Sequence, residues 1–162
     1  MEHHPHTPRH HTPDLTGGIP PIAQMLGLSG LLPQIAVVVL LVTGDAQGRF
    51  SALALGYAYA AIILSFLGGL WWGLAARAEH PPRWIWIAAV APSLIALASA
   101  WPWAVGLAWP GPSLVMLGVA LIAALAVDRA LVARGLAPAG WMRLRVPLSL
   151  GLGGLTILAA AL

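Results

Sequence analysis

Five long apolar segments, separated by short polar stretches, dominate this sequence. A helix that crosses the hydrocarbon core of a bilayer needs about 20 mostly apolar residues. The segments cover residues 22–43, 52–76, 84–105, 113–133 and 144–162. Because each segment approaches or exceeds that length, the sequence predicts an all-α fold: an integral membrane bundle of five transmembrane helices with short loops.

The composition favours a membrane protein over other classes of chain. Hydrophobic residues make up 59% of the sequence and charged residues 8%, whereas soluble domains average about 45–50% and about 25%. These proportions exclude a disordered chain and a typical soluble enzyme. The net charge of +3 comes from arginines spread between the apolar segments, so no nucleic acid partner is expected. Cysteine is absent, which excludes disulfides, Cys-ligated zinc and iron–sulfur clusters.

The connections between the segments indicate a simple organisation. They cover residues 44–51, 77–83, 106–112 and 134–143. Loops this short make sequential helices antiparallel neighbours. We therefore expect a disordered His- and Pro-rich cytoplasmic tail over residues 1–20 and one five-helix transmembrane domain over residues 21–162. The polar stretch before the first segment argues against a cleaved signal peptide.

The arginines predict the orientation of the bundle. All but one fall on the same side of the predicted membrane, namely Arg9, Arg77, Arg83, Arg129, Arg134, Arg143 and Arg145. The opposite side carries only Arg49. Excess positive charge stays cytoplasmic. We expect a bacterial inner-membrane protein with its N-terminus in the cytoplasm, its C-terminus in the periplasm and the lipid bilayer as its partner.

Tryptophans mark the ends of the predicted helices. Those near a segment end are Trp84, Trp86, Trp101, Trp103, Trp109 and Trp141. Indole rings favour the headgroup level of a bilayer, so these residues are interpreted as interfacial anchors. Trp71 and Trp72 differ, because they lie one to two turns inside the second segment.

Ionisable residues are nearly absent from the spans. Asp128 is the only acid within a predicted helix, where it lies near the cytoplasmic end, and no histidine lies in any span. Intramembrane ionisable groups mark proton relays and ion paths, and paired histidines hold haem. The sequence therefore predicts no cofactor and no enzymatic activity. Pro33, Pro92 and Pro147 are interpreted as helix kinks; a broken-helix ion site is the alternative.

Asp128 is expected to form an ion pair. It ends the fourth segment, and Arg143 and Arg145 begin the fifth, so antiparallel neighbours would bring the acid close to one of these arginines. Arg145 is the favoured partner, because a partly buried carboxylate favours a bidentate guanidinium. We interpret the pair as a structural clasp. The alternative is a site for an anionic lipid headgroup, made by the spare arginines.

The second segment carries small residues four apart, including Gly69 and Gly73. Such residues let helix backbones approach closely in lipid. Tight packing inside the monomer is the main interpretation; a dimerisation face and a ligand groove floored by Gly68 and Gly69 are the alternatives. The candidate ligand or packing face comprises Gly68, Gly69, Trp71, Trp72, Gly73, Tyr57 and Tyr59.

The tail has the only cluster of metal-binding side chains in the sequence. Its histidines are His3, His4, His6, His10 and His11. Imidazoles at this density bind zinc, nickel or copper. Because the surrounding prolines favour an extended, disordered chain, weak adventitious metal binding is favoured over a physiological site.

Residues 59–73, Tyr-Ala-Ala-Ile-Ile-Leu-Ser-Phe-Leu-Gly-Gly-Leu-Trp-Trp-Gly, closely resemble the central signature of domain-of-unknown-function family 3429. Residues 26–33, 91–94 and 141–149 are similar to its pattern, and Asp128 matches an acid at the end of its fourth helix. The resemblance extends over residues 26–151. Gln34 and Trp71 depart from the Phe and the His or Arg expected at those positions. The resemblance implies a compact multi-helix protein of energy-transducing membranes and supplies no activity or catalytic residue.

Two classes of function follow from these observations. The first is a non-catalytic binding or accessory protein for an apolar ligand, a lipid or a larger membrane complex. The second is a small-solute transporter or channel, with a path past Gln34, Ser65 and Ser93. The lack of charge at mid-membrane depth favours the first class.

Overall fold

The computed structural model describes residues 18–162. Within this range, five helical stretches are long and apolar enough to cross a membrane. They are Pro21–Thr43, Ala46–Ala76, Trp84–Ala104, Gly111–Ala133 and Trp141–Ala161. The described range contains no strand, so the predicted five-helix fold is confirmed. Most of the predicted tail, including its five histidines, lies outside the described residues.

The five spans consist of seven helices, because the first and third spans are interrupted. The helices are α1 (Pro21–Ser29), α2 (Leu32–Thr43), α3 (Ala46–Ala76), α4 (Trp84–Ser99), α5 (Trp101–Ala104), α6 (Gly111–Ala133) and α7 (Trp141–Ala161). The most extensive helix pairings are α6 with α7 and α3 with α4. Sequential spans thus pack as antiparallel neighbours, as short loops require.

The first span breaks between α1 and α2, where the sequence predicted a kink at Pro33. The break lies at Gly30, and Pro33 falls in the first turn of α2, a position that tolerates proline because its missing N–H has no helical acceptor. The Tyr59 hydroxyl donates a hydrogen bond of 2.5 Å to the Gly30 carbonyl. A side chain of α3 therefore satisfies the backbone at the break, as the hydrocarbon region demands.

The second span starts earlier than the sequence predicted. Its helix begins at Ala46 and not at residue 52. Asp45 is the N-cap, and its carboxylate accepts a hydrogen bond of 2.8 Å from the Gly48 N–H; such a cap satisfies one of the free donors at a helix start. Arg49 then lies in the first turn of the helix, where its guanidinium donates to the backbone oxygens of Leu41 and Leu162. These bonds join α2, α3 and α7 at one end of the bundle.

Glycines bring the helices of the bundle into close contact. A Cβ built on Gly118 of α6 would lie 2.7 Å from the Gly153 carbonyl oxygen of α7, and a Cβ on Gly153 would lie 2.7 Å from the Gly118 oxygen. Likewise, a Cβ on Gly68 of α3 would overlap the Ala89 carbonyl oxygen of α4. Small residues at these crossings permit the backbone approach that drives helix association in lipid.

We expect Gly153→Ala to lower the unfolding temperature of the protein in detergent. The added methyl group would force α6 and α7 apart, and overpacking of this kind costs about 1–3 kcal/mol. Gly154→Ala is the matched control, because nothing lies within 4 Å of a Cβ built there and alanine is the better helix former. Equal unfolding temperatures for the two variants would contradict the close crossing.

Candidate functional site

A buried carboxylate lies between α3, α6 and α7. Asp128 has a relative exposure of 0%. It lies before the end of α6 at Ala133, at a distance of about 7–8 Å along the helix axis for a rise of about 1.5 Å per residue. Its Oδ1 accepts hydrogen bonds of 3.0 Å from the Trp71 and Trp141 indole N–H groups. Its Oδ2 accepts a bond of 2.8 Å from Arg145 Nε. Three N–H donors therefore converge on the two oxygens of the carboxyl group.

Arg145 supplies the opposite charge from the second turn of α7. Its side chain is 7% exposed, and its Nε forms the ion pair with Asp128 at 2.8 Å. Its Nη2 donates to Ser149 Oγ at 3.0 Å, so the contact with the carboxylate is a single bond and not the bidentate one that the sequence suggested. Arg143 is exposed, and within residues 18–162 it forms no ion pair with Asp128.

The spacing of α7 explains this arrangement. Trp141, Arg145 and Ser149 are each four residues apart and all buried, so they share one face of the helix. That face meets α6 where Asp128 points inward. Two charges taken out of water are tolerated only when they are paired and further hydrogen bonds satisfy them; the two indoles supply such bonds to Asp128, and Ser149 supplies one to Arg145.

Trp141 corrects one sequence interpretation. It was expected to be an interfacial anchor, but it is only 8% exposed, because its N–H is bonded to Asp128 inside the bundle. Trp101 and Trp103, at the opposite end, are 65% and 68% exposed, as an anchoring ring requires. Sequence position does not distinguish these cases, since all of them lie at a helix end.

A cavity of about 280 Å³ adjoins the ion pair. Its polar wall consists of Arg145, Ser149 and Trp141 of α7 with Tyr59 of α3. The remaining wall is apolar or glycine, from Leu26, Gly27, Gly30, Leu31, Ile63, Phe66, Leu67, Leu70, Leu121, Leu144, Leu148 and Leu152. Leu26 and Phe66 are more than 60% exposed on the outer surface of the bundle, so the cavity reaches that surface.

The candidate residues on the second span do not share one face of the helix. Gly68 packs against α4, and Trp71 points at Asp128. Trp72 is half exposed and stacks edge-on against Trp86, with ring centroids 4.8 Å apart. Gly69 and Gly73 have open space around them. Gly68 and Gly69 therefore have different surroundings, because successive residues of a helix point about 100° apart.

The two tyrosines of that set also separate. Tyr59 reaches α1, with its hydroxyl on the Gly30 carbonyl, and lines the cavity. Tyr57 points to the other end of the bundle, where its hydroxyl lies 3.0 Å from Ser99 Oγ and its ring contacts Trp109 edge-on. The cavity lining from α1 and the role of Ser149 were missed by sequence reasoning; the four-residue spacing of Trp141, Arg145 and Ser149 was the available signal.

Metal ligation has no support within the described part of the chain. Residues 18–162 contain no group of three or more His, Asp or Glu side chains that would hold a metal ion. The candidate ligands His3, His4, His6, His10 and His11 lie outside the described residues. Weak metal binding by the tail therefore stays a prediction.

Asp128→Asn is expected to lower the free energy of unfolding by about 3 kcal/mol. This is the lower end of the range for breaking a buried ion pair, because asparagine keeps an acceptor oxygen for one of the three donors. Unfolding in a mild detergent measures the loss. Arg129→Gln, which removes an exposed charge next in sequence, is the matched control and should leave the transition in place. An unchanged transition for Asp128→Asn would show that the carboxylate does not stabilise the fold.

Comparison with known proteins agrees with the resemblance seen in the sequence. A search of curated proteins and a search of solved structures gave no match. The family model described as "Protein of unknown function (DUF3429)" matches residues 19–162, which is nearly the entire chain and somewhat more than the motifs alone indicated. The match includes both the Asp128 ion pair and the cavity beside it. The chain therefore belongs to the DUF3429 family.

Proposed function

We propose that this protein is a non-catalytic membrane protein that binds an apolar or lipid-like molecule in the cavity between α1, α3 and α7. The single observation that carries the proposal is the position of this cavity, which has hydrocarbon walls and one polar wall beside Asp128 and Arg145. Ligand sites are mostly apolar concavities with a few fixed polar groups. The cavity described here has that composition.

The dimensions of the cavity favour part of an amphiphile. Pockets for small ligands measure about 300–1,000 Å³, and this one holds about 280 Å³. A head and the first part of a chain would fit inside, while the rest of the chain would extend past Leu26 and Phe66 toward the lipid-facing surface. A ligand could then enter sideways from the bilayer without crossing an aqueous phase.

The state of the buried polar atoms favours binding over catalysis. Both Asp128 oxygens already accept hydrogen bonds, which leaves the carboxylate poorly placed to abstract a proton. A general base must reach the proton that it removes. Asp128 instead orients Arg145 and two indoles, and we propose that its role is structural.

A transporter or channel is the weaker alternative. The path considered from the sequence required Gln34, Ser65 and Ser93 to line one passage. Gln34 is fully buried, Ser65 is half-buried and Ser93 is exposed on the surface of α4. Ion flux into vesicles reconstituted with the purified protein would support this alternative over the binding proposal.

Ligand binding is tested by photolabelling and by blocking the cavity. An alkyl probe carrying a diazirine in its chain should label peptides that line the cavity, as read by mass spectrometry. Leu148→Trp should reduce that labelling several-fold, because the indole would fill part of the cavity. Leu150→Trp is the matched control, since Leu150 lies on the same helix and is half exposed away from the cavity. Equal labelling in both variants would contradict the proposal.

We also propose that the chain lies in the bacterial inner membrane with its N-terminus in the cytoplasm. The support is the arginine count, since the α3–α4 and α6–α7 loops carry Arg77, Arg83 and Arg134, whereas Arg49 lies at the other end. Juxtamembrane arginine is retained on the cytoplasmic side. The Asp128 ion pair and the polar wall of the cavity would then face the cytoplasmic half of the bilayer.

Reporter fusions test this orientation. Alkaline phosphatase fused after the last residue should be active, since it folds in the periplasm, and a green fluorescent protein at the same place should stay dark. The two reporters should exchange their behaviour when fused after Ala137, in the α6–α7 loop. The opposite pattern at both positions would overturn the proposed orientation.

A further inference from the structure

We propose that the cavity selects a neutral amphiphile whose head presents a hydrogen-bond-accepting oxygen, a carbonyl of a ketone, quinone or ester, and that it rejects the matching carboxylate or phosphate. This inference rests on the proposed ligand-binding function and deepens it. It follows from the bonds that Arg145 makes, the bonds that it leaves free and the charge already present beside it.

The free donor is on Arg145. Its Nε bonds to Asp128 and its Nη2 bonds to Ser149. Within residues 18–162, Nη1 has no hydrogen-bond partner, although the side chain is only 7% exposed. Arg145 also lines the cavity. A guanidinium has five N–H donors and no acceptor, so the group it lacks is an acceptor, and the cavity is where such a group would lie.

The charge of Arg145 is already neutralised. Asp128 lies 2.8 Å from it, has no exposure and accepts from two indoles as well. Among residues 18–162, Arg145 is the only charged residue that lines the cavity. An anionic head placed at Nη1 would therefore give the buried cluster a net negative charge, which a low-dielectric interior strongly disfavours. A carbonyl oxygen accepts the same bond and leaves the cluster neutral.

The other polar groups of the wall do not change this conclusion. The Tyr59 hydroxyl proton is donated to the Gly30 carbonyl, and the Trp141 N–H is donated to Asp128. Ser149 Oγ accepts from Arg145, and its own proton is a further donor that a head group could use beside the three N–H groups of Arg145 not used in these bonds. The rest of the wall is hydrocarbon or glycine. The number of free donors would also suit a phosphate, so the carboxylate of Asp128, and not the donor count, disfavours an anionic head.

The test compares two probes with the same chain and diazirine, one with a charged head and one with a neutral head. These are palmitic acid with a diazirine in its chain and the methyl ester of the same molecule. Labelling of cavity peptides in the full-length protein is measured against probe concentration at about pH 9, well above an ordinary carboxyl pKa of about 4. We expect the ester to reach half-maximal labelling at a concentration at least about tenfold below that of the carboxylate.

Asp128→Asn provides the decisive comparison. Removal of the carboxylate leaves Arg145 uncompensated, so the preference should reverse and the fatty carboxylate should label at the lower concentration. Arg129→Gln, which removes an exposed charge outside the cavity, should keep the tenfold preference for the ester. Retention of the ester preference in a folded Asp128→Asn protein would overturn the electrostatic argument.

The outcomes separate the two proposals. If neither probe labels cavity peptides, the proposed ligand-binding function fails. If both probes label them and the carboxylate labels equally well or better in the unaltered protein, ligand binding stands and the neutral-head inference is overturned. Should Asp128→Asn not fold, the ratio measured on the unaltered protein decides the inference by itself.

Discussion

The Asp128 carboxylate, buried between three helices, is the polar contact that links α3, α6 and α7. It belongs to α6 and accepts hydrogen bonds from Trp71 of α3 and from Trp141 and Arg145 of α7. A lone charge in a hydrocarbon interior is very unfavourable, so each of these donors must stay in place. The pair thus specifies how the three helices are rotated against one another, a specificity that apolar packing alone does not supply in lipid.

The same contact shapes the candidate site. Arg145 is held by Asp128 and Ser149, and it lines the cavity. The end of α1 and the break after it contribute Gly27, Gly30 and Leu31 to the wall. A buried ion pair and a satisfied break in the first span therefore produce a polar spot inside a hydrocarbon pocket, where a neutral head group gains a hydrogen bond without adding charge.

Particular residues show how far sequence reasoning reaches. The Asp128–Arg145 proximity followed from short loops and the order of the helices, because antiparallel neighbours bring the end of α6 to the start of α7. The inward position of Trp141 did not follow, since a tryptophan at a helix end fits an anchor and a buried donor equally well. Close packing was expected at both Gly68 and Gly69, and it is found at Gly68 but not at Gly69, which meets no neighbouring helix.

The sequence by itself determined that five apolar helices of this length cross a membrane, that arginine gathers at one end and that little charge enters the interior. These properties depend only on the types of residue in each segment and on the length of the segment, and both can be read directly from the sequence. Only the tertiary structure decided which faces meet, that the Gly118 and Gly153 backbones cross in contact, and that the cavity lies between α1, α3 and α7. Apolar residues are equally stable facing lipid and facing another helix, so the hydropathy of the sequence does not indicate which side of a helix packs against its neighbours.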